Sequence, residues 1–80
     1  MCIRDSFPSF MVQRVDHNES LIVVRTRIGR APAVGIELDA LRHPQILGTL
    51  AGDDTVLVIP RSVQHIPELV STLRELAELG

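Results

Sequence analysis

Apolar and polar positions alternate, cluster and break in a way that divides most of the chain into six short elements. Phe10, Val12 and Val15 predict a first strand. Asp16-His17-Asn18-Glu19-Ser20 is polar turn chemistry. Residues 21–26, Leu-Ile-Val-Val-Arg-Thr, form a short β-branched run and predict a second strand, paired with the first as an antiparallel hairpin. Gly29 closes it. Pro32 suits a first helical turn, where its missing N–H costs nothing. Val34, Leu38 and Leu41 then recur at i, i+4 and i+7, which predicts a helix over 31–42. Gly35 within it costs about 1 kcal/mol against Ala and marks close approach of another backbone. Pro44 forbids continuation.

A third strand is predicted over 46–51 and a fourth over 55–59, joined by Gly52-Asp53-Asp54. The fourth is apolar enough to be central, and Pro60 ends it. A last helix starts between 62 and 67 and runs to about 79. Ile66, Leu69, Val70, Leu73, Leu76 and Ala77 carry its period. Glu68 sits near its positive N-terminal end. Arg74 and Glu78 are an i, i+4 pair, and Gly80 is the stop. The order β-β-α-β-β-α implies an α+β two-layer sandwich, with a four-stranded antiparallel sheet and two helices on one face. The opposite face is left uncovered and partly hydrophobic, which on so small a chain predicts subunit contacts. Residues 1–9 show no period and contain Pro8; they are read as an unstructured leader to a domain over 10–80.

Composition narrows the function classes. At 80 residues the chain is one domain, and such a domain buries only about 60% of the surface its unfolded form exposes. A single Cys excludes an internal disulfide, and no Cys/His cluster has zinc spacing. Oligomerisation is the staple that remains. Aromatics are 2%, so there is no platform for stacking bases. All eight basic residues are Arg, yet the formal charge is -2, which argues against a grip on a polyanion. There is neither a membrane-length apolar run nor the apolar core of a signal peptide. The expectation is a soluble, cytoplasmic chain without membrane contact.

Candidate chemistry concentrates in residues 48–55, Gly-Thr-Leu-Ala-Gly-Asp-Asp-Thr. Asp53 and Asp54 lie in a tight loop between two apolar strands. Two adjacent carboxylates at the mouth of a sheet suit a cation, and a planar guanidinium fits best, because paired oxygens accept its paired N–H groups. The plainer alternative is a polar hairpin turn. A calcium site needs about six to eight oxygens, and even with Asp39 added only three carboxylates are in prospect. An acid–base dyad would need a cleft. His17, His43 and His65 lack partners at ligand spacing and read as surface residues. Arg25, Arg27 and Arg30 read as a solvated basic face rather than a phosphate site.

The run at 46–59, Ile-Leu-Gly-Thr-Leu-Ala-Gly-Asp-Asp-Thr-Val-Leu-Val-Ile, resembles the signature of the arginine repressor C-terminal domain. Residues 21–26, Gly29 and the Leu38-Asp39 pair resemble it too, so the likeness covers about 10–79. It implies a domain that trimerises through its sheets and stacks two trimers into a hexamer, with L-arginine, the corepressor, held between them. By position, Asp53 and Asp54 match the acidic pair for the guanidinium. Thr49 and Ala51 match positions that hold the amino-acid end, and Asp39 matches a helix position that also reaches the ligand. No other cofactor and no metal is implied. The third position after Gly29, usually Gln or His in the family, is Pro32, which has no side-chain donor or acceptor. Contact with operator DNA is implied only through an N-terminal winged-helix domain, which residues 1–9 do not resemble; a fragment with an unrelated start is expected. Three functions stay open: an arginine-sensing oligomerisation domain of a repressor of arginine metabolism genes, an assembly module without ligand, and a small carboxylate-dyad enzyme. The last has no visible nucleophile–base pair.

Overall fold

The computed structural model describes residues 8–79. Strands β1 (Val12–His17) and β2 (Ile22–Thr26) lead into helix α1 (Ala31–Leu41). Strands β3 (Ile46–Ala51) and β4 (Thr55–Pro60) lead into helix α2 (Ile66–Leu76). Single 3-10 turns at Ser9–Met11 and Val63–His65 precede β1 and α2. The strands form one antiparallel sheet in the order β1-β2-β4-β3. The two β-branched runs, β2 and β4, are therefore central, where both faces of a strand are most shielded. The expected α+β sandwich is the architecture found.

Register decides which side chains meet. Val15, Val24, Val56 and Ala51 form one row across the sheet, and His17, Ile22, Val58 and Thr49 form another. Ile22, Val24, Val56 and Val58 from these rows are buried with Val34 and Leu38 of α1 and Leu69, Val70 and Leu73 of α2. Asp16, Val23, Leu57 and Leu50 form a row on the opposite face. No described element covers that face. Leu50 on it is 64% exposed and Ile59 37%, as its partly hydrophobic character in the sequence predicts. None of the described helices is long and apolar enough to cross a membrane.

Three sequence expectations need correction. Phe10 belongs to the first 3-10 turn rather than to β1, and it is 72% exposed. Helix α2 ends at Leu76, because Glu78 takes a left-handed φ of 58°. Leu79 N–H then donates to the Arg74 carbonyl and Glu78 N–H to the Glu75 carbonyl, the two bonds of a Schellman cap. The Arg74–Glu78 pair is consequently not formed. Arg74 donates from Nε and Nη2 to the Val15 carbonyl at 3.3 and 2.8 Å, while Glu78 accepts from Ser9 Oγ. The stop assigned to Gly80 and residues 1–7 of the expected leader lie outside the described residues; Ser9 opens the first 3-10 turn.

Candidate functional site

The β3–β4 turn is held by its main chain. Gly52 N–H donates to the Thr55 carbonyl at 2.8 Å and closes the loop. The Asp54 carbonyl accepts from Thr26 N–H at 2.8 Å, and the Asp53 carbonyl accepts from Ala31 N–H at 3.1 Å. The turn is thus tied to the end of β2 and to the first residue of α1. Among the described residues, neither carboxylate accepts a backbone N–H. A turn-forming aspartate ordinarily uses its carboxylate that way. The one side-chain bond to either carboxylate among the described residues is from Thr55 Oγ1 to Asp54 Oδ1, at 3.1 Å.

Helix α1 runs antiparallel along β3 in matched steps. Ala31 meets Asp53, Gly35 meets Ala51, and Asp39 meets Thr49. Four helical residues advance about 6 Å and two strand residues about 6.6 Å, so the steps stay in register. The sequence expectation that Gly35 admits another backbone is amended, since the near group is a methyl. A Cβ at position 35 would lie 3.2 Å from Ala51 Cβ. This small pair sets the height of α1 above β3 and brings Asp39 down to Thr49, whose Oγ1 donates to Asp39 Oδ1 at 2.7 Å. Five residues singled out from sequence therefore fall into two stations on one ridge. Asp53 and Asp54 form one, Asp39 and Thr49 the other, with Ala51 between. Eight helical residues separate Ala31 from Asp39, so the stations are about 12 Å apart.

The ridge is open. Asp39, Ala51 and Asp53 are exposed, and Thr49 and Asp54 half-buried. An ion pair formed there with a small cation would be worth about 0–1 kcal/mol in water. Firm binding requires a second surface to exclude water. A groove of about 740 Å³ lined by residues such as His17, Glu19, Val63 and Ile66 contains none of the five. Two of the histidines serve local structure: His43 Nδ1 accepts from Gln45 N–H, and His65 lies 3.4 Å from Glu68. No three His, Cys, Asp or Glu side chains gather as a metal site among the described residues.

Sequence reasoning missed two participants. Thr55 is the residue whose hydroxyl meets the Asp54 carboxylate, and Arg25 donates from Nη1 to Thr55 Oγ1 at 2.9 Å. The signal for Thr55 was its place directly after the acidic pair. Arg25 became visible only through strand register, which sets it opposite Thr55.

The family model described as "Arginine repressor, C-terminal domain" matches residues 9–75. An arginine repressor of Chlorobium phaeobacteroides is 56% identical over 64 residues, covering 80% of this chain and 43% of the relative. One from Chlorobium limicola is 52% identical over 64 residues, with the same coverage. One from a Shewanella species is 45% identical over 67 residues, covering 82% of this chain and 43% of its own. The chain thus spans about two-fifths of the length of these curated relatives.

Proposed function

The chain belongs to the arginine repressor C-terminal domain family, and from that premise we propose that it senses L-arginine and assembles a transcriptional repressor of arginine metabolism genes. The observation that carries this reading is the division of labour in the β3–β4 turn. The carbonyls of Asp53 and Asp54 hold the loop, and no described backbone donor uses their carboxylates. Two acceptor groups so placed suit the planar, donor-only guanidinium. The amino-acid end of the ligand falls to Thr49, Asp39 and the main chain at Ala51. Pro32 offers no side-chain polar contact, so the amino-acid end is held by fewer groups. The reading assigns no reaction, no metal and no further cofactor to the chain. In the longer repressor, operator DNA is gripped by another domain, in the cytoplasm.

Because the ridge is exposed, the ligand needs a covering surface, and a second copy supplies it. The apolar outer face of the sheet supports trimers, and arginine held between two trimers favours the hexamer by mass action. Sedimentation velocity with and without L-arginine tests this. Trimers at low arginine and hexamers at high arginine are expected. A folded monomer at micromolar concentration would contradict the assembly, and a mass unchanged by arginine would leave only the alternative of a ligand-free oligomerisation module.

A further inference from the structure

We propose that Arg25 is a positioning residue for the ligand site, acting through the Thr55 hydroxyl on the carboxylate of Asp54; this rests on the arginine-binding reading above. Arg25 and Thr55 are direct cross-strand partners on β2 and β4. Arg25 Nη1 lies 2.9 Å from Thr55 Oγ1, and Thr55 Oγ1 lies 3.1 Å from Asp54 Oδ1. The direction of this chain is forced. A guanidinium can only donate, so Thr55 accepts from Arg25 and its single hydroxyl proton is free for Asp54. An ionised carboxylate can only accept, which completes the polarity. Oδ1 of Asp54 is thereby occupied by a neutral donor, and the carboxylate plane is fixed from one side. Its other oxygen and the remaining lone pair of Oδ1 are left for the paired N–H groups of an incoming guanidinium.

Asp53 has no such support among the described residues. Its carbonyl is bonded to Ala31 N–H, but its carboxylate is exposed and accepts from no described side chain. The acidic pair is therefore asymmetric, with one carboxylate pre-aimed and the other free to adapt. Pre-aiming matters because a bidentate guanidinium contact is directional, and holding a side chain in its bound rotamer removes an ordering cost from binding.

Two effects of Arg25 on a cationic ligand oppose each other, which makes the proposal testable. Its positive charge repels the ligand, whereas its hydrogen bond orders the acceptor. Arg25 is exposed in the single chain, where the repulsion is screened, and its Nη1 is turned to Thr55 Oγ1, so positioning outweighs repulsion. Arg25→Met removes the donor and the charge while keeping much of the stem. Thr55→Val removes the hydroxyl and keeps the β-branched shape. Each should weaken L-arginine binding about three- to tenfold by calorimetry. The double variant should lose no more than the worse single one, because both cut the same chain. Three-bond couplings from the Asp54 amide nitrogen to its carboxyl carbon, measured without ligand, should report one χ1 rotamer in the parent and averaging in either variant. Arginine binding that is unchanged or tighter in Arg25→Met, losses that add in the double variant, or an unmoved Asp54 rotamer would each overturn the relay while the parent still binds. Failure of the parent itself to bind arginine would instead bring down the ligand reading along with it.

Discussion

The two hairpin turns of this molecule solve the same geometric problem with different atoms. In the β1–β2 turn, Asn18 Oδ1 accepts from the N–H groups of Ser20 and Leu21, both at 2.7 Å. The side chain is consumed in folding its own loop, the usual work of Asn in turns. In the β3–β4 turn the corresponding work is done by main-chain carbonyls, which reach Thr26 and Ala31 on neighbouring elements. Both aspartates could have acted as Asn18 does, and neither is seen to. The difference teaches that residue type alone does not tell a turn former from a site residue. What tells them apart is where the side-chain oxygens go.

Swapping single atoms in the two turns should therefore have opposite consequences. The largest effect belongs to Asp53→Asn, which keeps size and turn preference but turns an acceptor into a donor facing the guanidinium. In the proposed site, assembled and water-excluded, this should cost about 2–5 kcal/mol of binding, a loss of roughly thirtyfold to several-thousandfold. Thermal stability without arginine should stay unchanged, as a melting curve would show. Next comes Gly35→Val. Its Cβ would already crowd Ala51, and two further methyls should cost about 1–3 kcal/mol of stability. Lifting α1 also pulls Asp39 from Thr49 and Ala31 from Asp53, so arginine affinity should fall together with the melting temperature. No such coupling is expected at the β1–β2 turn, to which no helix end is hydrogen-bonded among the described residues. There Asn18→Ala should cost about 0.5–1.5 kcal/mol of stability. For a domain of this size each kcal/mol moves the melting point by about 4–8 °C.

Much of this was legible in the chain. The β-branched runs announced β2 and β4 as strands, with β4 apolar enough to be central; that β2 is central too emerged only from the sheet order. Pro32, Gly29 and Pro44 bracketed α1 to within a residue. The acidic pair stood out because two carboxylates adjoin small residues in a short loop. Other features depend on local backbone turns that the hydrophobic period does not register, or on contacts distant in sequence. Phe10 continues an alternating pattern, yet Met11 N–H bonds to the Pro8 carbonyl and turns the chain before the strand begins. Leu79 prolongs the helical period of α2, but the left-handed Glu78 diverts the backbone first. Arg25 looked like one member of a solvated basic patch, because nothing local says which residue of another strand it faces. The pairing of Asp39 with Thr49 was invisible for the same reason, since it depends on how closely Gly35 lets α1 approach β3.

The central claim is that the β3–β4 carboxylates exist for a ligand and the β1–β2 amide exists for the fold. Parallel calorimetric titration of L-arginine into the parent chain, Asp53→Asn and Asn18→Ala tests it most directly, with circular dichroism to verify folding at the titration temperature. The account predicts that Asn18→Ala binds within about twofold of the parent, whereas Asp53→Asn loses at least about thirtyfold while remaining folded. Asp53→Asn binding arginine within twofold of the parent would show that Asp53 is a turn residue like Asn18, and the site assignment would be wrong.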